Sequence, residues 1–101
     1  MHSKNLYGAR LKEARKRVGL SQVQLGVLAG FDELASSARM SQYETGKHLP
    51  DINTAERLAK GLNTPLAYFF CPEDDLAELI LLYRNLGESQ RKSVLELLKS
   101  F

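Results

Sequence analysis

The sequence predicts an all-α protein. Its apolar residues recur at spacings of three and four, the period of an amphipathic helix, and no alternating apolar and polar run is long enough to indicate a strand. Glycines and prolines divide the chain into seven helical segments. With 101 residues, 44% of them hydrophobic and 26% charged, the chain can bury the core of one compact domain, or of a small domain with an appendage. It is too short for a multi-domain enzyme.

The first predicted helix runs from about residue 6 to residue 18, and Gly19 ends it. Its apolar stripe comprises Tyr7, Leu11, Ala14 and Val18. Its basic residues are interpreted as a solvated face: Arg10, Lys12, Lys16 and Arg17. Ser21 predicts the N-cap of a second, short helix, because its hydroxyl can accept hydrogen bonds from the free backbone N–H groups of the next turn. Gly30 ends this helix, whose buried side comprises Leu25, Leu28 and Ala29.

A third helix is predicted from about Ser36 to Thr45, with Met40 and Tyr43 facing inward and Gly46 closing it. Its outward positions are Ser37, Ala38, Ser41 and Gln42. A fourth helix follows Pro50, with Asp51 placed to cap it. Its stripe comprises Ile52, Ala55, Leu58, Ala59 and Leu62. Thr64 and Pro65 open a short fifth helix that carries Leu66, Phe69 and Phe70 into the core.

Two further helices form a C-terminal hairpin. The first begins with the acids that the helix dipole favours and carries Leu76, Leu79, Ile80, Tyr83 and Leu86 up to a break at Gly87. The last begins near Glu88 and carries Val94, Leu95, Leu97, Leu98 and Phe101. Together they have more apolar surface than two short helices can hide from each other. We therefore divide the chain into a domain over residues 6–71 and a hairpin over residues 72–101, which either mediates dimerisation or packs on the core of its own chain.

Charge is unevenly distributed along the chain. Residues 1–50 hold eight Lys or Arg against four acids, and residues 51–101 hold six against eight. A polyanion would therefore bind to the first half of the chain.

The chain starts without the apolar stretch of a signal peptide, and no apolar run approaches the roughly 20 residues of a membrane span. We therefore expect a cytoplasmic protein with no membrane partner. The single Cys71 indicates a small buried hydrophobe, and His2 and His48 lack ligand-spaced neighbours, so no metal site is expected.

Several short motifs occur together between the first helix and the fifth. They are Leu11-Lys12-Glu13-Ala14-Arg15, Leu20-Ser21-Gln22, Leu25, Ala29-Gly30, Tyr43-Glu44-Thr45-Gly46-Lys47, Pro50, Leu58-Ala59, Leu62 and Phe69-Phe70. On these residues the stretch from Leu11 to Phe70 resembles the Xre family of helix-turn-helix repressors, which includes lambda repressor and Cro. The resemblance implies a lambda-repressor-like five-helix DNA-binding domain, followed here by a two-helix C-terminal extension.

The sequence departs from the family pattern at two places. About four extra residues fall within 31–35, so we expect a longer turn between the second and third helices, and the angle of the third helix is left open. Gly26 stands where the family commonly has alanine. A small side chain suits close helix packing there, although glycine lowers helix propensity by about 1 kcal/mol.

The resemblance implies that the third helix enters the major groove of DNA. The base-reading positions of the family fall on Ser37, Ala38 and Gln42, with Ser36, Arg39 and Ser41 beside them. Gln42 could bridge an adenine, Ala38 could pack against a thymine methyl, and Arg39 could grip a guanine or a phosphate. The alternatives are an idle exposed amide for Gln42 and, for Arg39, a solvated side chain or an intramolecular partner for Asp32 or Glu33.

Other matched positions imply backbone contacts and one structural ion pair. Gln22 corresponds to the family position that touches phosphate, and Lys47 and His48 could reach the DNA backbone on the other side of the third helix. Arg15 and Glu44 correspond to a pair that joins the first helix to the end of the third. The resemblance therefore implies a partly buried ion pair that orients the recognition helix and acts on DNA only indirectly.

No catalytic set is legible in the sequence: it has no recognisable Ser/His/Asp arrangement, paired carboxylates, phosphate loop or metal cluster. We expect neither enzymatic activity nor a cofactor. The resemblance implies a transcriptional regulator that binds double-stranded DNA sequence-specifically, as a homodimeric repressor on a palindromic operator. The alternative is a protein-interaction module of the same fold, such as an antitoxin that masks a toxin partner, with weak or no specific DNA binding.

Overall fold

The computed structural model describes residues 5–101, and in this range six α-helices and one 3₁₀ helix follow one another without a strand. They are α1 (Leu6–Val18), α2 (Gln22–Leu28), α3 (Glu33–Glu44), α4 (Ile52–Gly61), the 3₁₀ helix (Leu66–Phe70), α5 (Asp74–Arg84) and α6 (Glu88–Lys99). This order confirms the all-α fold class. No helix in residues 5–101 has the length and apolar character needed to cross a membrane. His2, one of the two histidines for which no metal site is expected, lies outside the described residues.

The hydrophobic core lies between α1 to α4 and the 3₁₀ helix. Each element contributes a side chain with no exposed surface: Leu11, Leu25, Met40, Leu58 and Phe69. Helices α2 and α3 lie close together at Gly26, where an added Cβ would overlap the Ser36 hydroxyl. The glycine at this position is therefore explained by a neighbouring side chain on α3, which leaves no room for the family's alanine.

Side-chain caps fix the starts of two helices. The Ser21 hydroxyl accepts from the backbone N–H of Gln24 at 3.0 Å, while the Gln24 side-chain oxygen accepts from the N–H of Ser21 at 2.8 Å, which is a reciprocal capping box. Asp51 caps α4 by accepting from the N–H of Thr54 at 2.8 Å. Because this hydrogen bond favours the charged carboxylate, the pKa of Asp51 is lower than its ordinary value. Both predicted caps are confirmed.

The expected long turn between α2 and α3 is absent, because the additional residues extend α3 instead. The connection comprises only residues 29–32, and α3 begins at Glu33 rather than near Ser36. Asp32 is its N-cap and accepts from the N–H of Leu34 at 3.2 Å. Gly30 has φ +93°, a left-handed conformation that suits glycine, and Phe31 turns into the core at 5% exposure. The insertion therefore adds about one helical turn to the start of α3.

Several residues predicted in the core lie at its edge. In the fifth segment the structure is a 3₁₀ helix, and its tighter winding buries Tyr68 and Phe69 while leaving Phe70 50% exposed. The prediction that Phe70 enters the core is therefore wrong. The ends of the apolar stripes also reach solvent, since the exposed fractions are 47% for Val18, 62% for Leu28 and 58% for Ile52.

Arg10 on α1 is buried, so the prediction that it belongs to a solvated face is wrong. Its side chain is 3% exposed and donates two hydrogen bonds, at 2.8 and 3.1 Å, to the carbonyl oxygen of Cys71. The same guanidinium lies 2.9 Å from a carboxylate oxygen of Asp74 at the start of α5. Cys71 is buried at 6% exposure, as predicted. Arg10 thus joins the α1 core to the residues that lead into α5.

The two C-terminal helices differ in how they contact the core. Helix α5 buries Ala77, with Ile80 and Leu81 partly covered, whereas α6 has no buried residue. Between them lies an open apolar groove of about 410 Å³, whose walls include Leu76, Leu79, Tyr83, Leu95 and Leu98. Arg91 crosses from α6 to donate to the Tyr83 and Arg84 carbonyls at 3.2 and 3.0 Å. The hairpin therefore leaves one apolar side open.

Candidate nucleic-acid interface

Helix α3 has two opposite faces. Ser36, Met40 and Tyr43 face the core, at the spacing that places residues on one side of a helix. The residues exposed on the other side are Leu34, Ser37, Ala38 and Ser41, and we call these four residues the outward face. Gln42 is partly exposed at the C-terminal edge of the same side. Two of the three predicted base-reading positions, Ser37 and Ala38, therefore share with Ser41 a face that the core leaves open, and the third, Gln42, lies at its edge.

The sequence interpretation does not include Leu34 among the candidate DNA-binding residues, because it places residues 31–35 in a turn. Leu34 is the second residue of α3 and its side chain is 96% exposed. The available signal was the pair Asp32 and Glu33, since an N-cap acid followed by a first-turn acid is typical of a helix start.

Ser36, one of the predicted DNA-binding residues, is buried and faces the core rather than the exposed side of α3. It has no exposed surface, and its hydroxyl lies 3.0 Å from the carbonyl oxygen of Val23 and 3.3 Å from that of Gln22. A buried hydroxyl needs such a partner, and this one holds α3 against the first turn of α2. Ser36 therefore sets the spacing of the two helices.

Arg39 lies along the surface of α3 and packs on an aromatic ring. The carbon at the centre of its guanidinium is 3.8 Å from the ring centroid of Phe31, and one nitrogen donates to the Tyr43 hydroxyl at 3.1 Å. This arrangement differs from both expected alternatives, a freely solvated side chain and a partner for Asp32 or Glu33. The ring contact limits the rotamers of Arg39 and holds a positive charge beside α3.

Arg15 and Glu44 form the expected ion pair between α1 and the end of α3. The carboxylate of Glu44 accepts from Nε of Arg15 at 2.6 Å and from Nη2 at 3.0 Å. The side chains are 11% and 4% exposed, respectively, and Arg15 also donates to the Leu20 carbonyl at 2.9 Å. This two-point contact fixes the C-terminal end of α3 relative to α1.

Gln22 extends this ion pair to the outward face. Its side-chain N–H donates to Glu44 at 3.2 Å, and its side-chain oxygen accepts from the Ser37 hydroxyl at 3.2 Å. A glutamine amide has two N–H donors, so one remains for a phosphate oxygen. The predicted phosphate-contact residue is therefore also a positioning residue for Ser37.

Lys47 and His48 lie just beyond α3 and are both exposed. The chain leaves the helix at Gly46, which has φ +80°, and the N–H of His48 then donates to the carbonyl of Gln42 at 3.2 Å. This hydrogen bond keeps the segment close to the last turn of α3. The two side chains therefore lie beside the helix end opposite to Leu34.

The fold and this geometry agree with comparisons to known proteins. The helix-turn-helix domain family matches residues 6–67. The chain is also similar to the crystal structure of the transcriptional regulator BswR, with 49% sequence identity, a TM-score of 0.89 and coverage of 93% of each chain. No curated protein gives a significant match. The family match covers more than half of the chain and includes α2, the turn and α3. The similarity to the regulator is consistent with an Xre-like helix-turn-helix regulator. The chain therefore belongs to the helix-turn-helix domain family.

Proposed function

We propose that this protein is a transcriptional repressor that binds a palindromic operator as a homodimer. The observation that carries the proposal is the outward face of α3, which the core leaves open within a helix-turn-helix fold. Similarity to the transcriptional regulator BswR over 93% of the chain supports the same function. Repression follows when an occupied operator excludes other proteins from the same DNA.

The side chains of α3 suit insertion into the major groove. Ser37, Ala38 and Ser41 are short, so the helix backbone can approach the base edges closely. The Gln42 amide matches the donor and acceptor pattern of adenine, and Arg39 supplies a cation for guanine or phosphate. Contacts to the phosphates would come from Gln22, Lys47 and His48, on either side of the helix.

The C-terminal hairpin supports dimerisation through the groove between α5 and α6. We propose that this groove receives α6 of a second copy, because apolar residues of both helices line it and α6 has no buried residue in its own chain. Charge favours the same pairing, since α5 carries three acids and one base while α6 carries three bases and two acids. A symmetric dimer would place two α3 helices on two half-sites.

The DNA-binding proposal is tested by fluorescence anisotropy with labelled duplexes. Duplexes from the upstream region of the gene and shuffled controls are titrated at two salt concentrations. We expect a preference of at least about 10³ for one upstream duplex and a steep salt dependence. Gln42→Ala should weaken specific binding by about 1–3 kcal/mol per half-site, and Arg39→Ala should also weaken it. Lys60→Ala, an exposed cation on α4, serves as the control.

The dimer proposal is tested by sedimentation equilibrium of the intact chain. We expect a dimer at micromolar concentration that Leu98→Lys dissociates, because Leu98 lines the groove. Leu97→Lys on the same helix, with a side chain 59% exposed outside the groove lining, is the matched control and should remain dimeric. A monomer with weak, equal binding to all duplexes would instead favour the protein-interaction module, and a search for its partner would follow.

A further inference from the structure

The extra turn at the start of α3 displays an apolar side chain with no structural role. Leu34 is 96% exposed, more than any other large hydrophobic residue in residues 5–101. Its position is nevertheless well defined, because its backbone N–H is bonded to the Asp32 carboxylate at 3.2 Å in the N-terminal cap of the helix. The helix cap therefore fixes the backbone from which the Leu34 side chain projects, while the side chain itself is not used for packing.

Leu34 belongs to the same face as the base-reading candidates. Ser37, Ala38 and Ser41 follow it at three, four and seven residues, the spacings that keep side chains on one side of a helix. With a rise of about 1.5 Å per residue, this face extends for about 10 Å, the length of about three base-pair steps. The three following side chains are short, so Leu34 projects beyond them at the N-terminal end of α3. This end of a recognition helix contacts base edges in helix-turn-helix complexes.

The chemistry of leucine selects one feature of the major groove. A leucine side chain has neither a donor nor an acceptor, so facing an amino or carbonyl edge would leave that base group without a hydrogen bond. The apolar group that a base presents there is the 5-methyl group of thymine. We propose that Leu34 packs against a thymine methyl in each half-site and so selects that base. This inference rests on the proposed DNA-binding function and adds a specificity residue to it.

The test removes the methyl group without changing any hydrogen bond. A duplex is first selected by the full-length protein from a random library, and each thymine is then replaced in turn by deoxyuridine. We expect wild-type affinity to fall at one thymine per half-site by about fourfold, the factor that corresponds to about 0.8 kcal/mol for one buried methyl group. Leu34→Ala should bind the thymine and uracil duplexes with equal affinity at that position.

Two controls separate this contact from other effects. Leu28→Ala removes another exposed leucine, 62% exposed on α2, and should keep the wild-type discrimination between thymine and uracil. Circular dichroism melts should show that Leu34→Ala folds like the wild type, since the side chain contacts no core residue. The inference is overturned, while the DNA-binding function stands, if Leu34→Ala still binds the thymine duplex more tightly than the uracil duplex at that position. It is also overturned if no uracil substitution weakens wild-type binding. If the wild-type protein selects no duplex at all, both are overturned.

Discussion

The ion pair between α1 and the end of α3 allows a quantitative prediction. The carboxylate of Glu44 is 4% exposed and receives two hydrogen bonds from Arg15 and one from Gln22. Glu44→Ala would leave the Arg15 guanidinium, 11% exposed, with the Leu20 carbonyl as its remaining acceptor within residues 5–101. Breaking a buried pair by removing one partner costs about 3–5 kcal/mol. Because Arg15 keeps one acceptor and some solvent contact, we expect Glu44→Ala to lower the free energy of unfolding by about 3 kcal/mol, near the lower end of this range.

The double variant distinguishes the ion pair from its surroundings. Arg15→Met combined with Glu44→Ala removes both charges and leaves no buried ion, so the double variant should be more stable than either single variant. Urea unfolding followed by circular dichroism measures all four proteins. With a slope of about 1–3 kcal/mol per molar urea, a loss of about 3 kcal/mol lowers the midpoint by about 1–3 M. The reasoning is refuted if Glu44→Ala costs less than about 1 kcal/mol, as a surface pair would, or if the two single losses simply add.

Three further changes test separate contacts. Gly26→Ala should lower the free energy of unfolding by about 1–3 kcal/mol in thermal melts, although alanine favours the helix more than glycine does. Adding Ser36→Ala should recover part of this loss, because the added Cβ clashes with the Ser36 hydroxyl. Arg10→Met should lower the free energy of unfolding in urea by about 1–3 kcal/mol, because the buried Cys71 carbonyl loses its hydrogen-bond donor. An unchanged urea midpoint would contradict this expectation. The pKa of Asp51 is lower in the folded state than its ordinary value, so the Asp51 carboxylate stabilises the fold at pH values above the ordinary pKa. This stabilisation is lost as the pH falls through the lowered pKa. Asp51→Asn should lack that part of the acid dependence in melts across acidic pH.

The sequence predicts much of this fold because caps and periodicity are local signals. The starts of α2 and α4 follow from Ser21 and Asp51, whose side chains bond within their own first turns. The predicted start of α3 is wrong because the family resemblance places the additional residues in the turn. Asp32 and Glu33 are a local signal for the observed helix start, and the three-and-four spacing of Ser36, Met40 and Tyr43 agrees with the inward position of Ser36.

Contacts between distant residues could not be read from the sequence. Arg10 lies on the inward stripe of α1, but its partner carbonyl at Cys71 is 61 residues away, and without that partner a buried arginine would be unfavourable. Arg39 is a similar case, since its position depends on Phe31 reaching the core from the turn. The resemblance to a family identified the matching residues, whereas the three-dimensional structure was needed to show which of them are already bonded to one another.

The division of α3 into two faces makes the helix suitable for protein engineering. The side chains that fold it, above all Met40 and Tyr43, lie on one side, while Leu34, Ala38 and Ser41 are exposed on the other. Substitutions at these three positions should therefore leave the core intact. A library randomised there is expected to consist mainly of folded proteins, from which variants with new sequence preferences can be selected without further stabilisation.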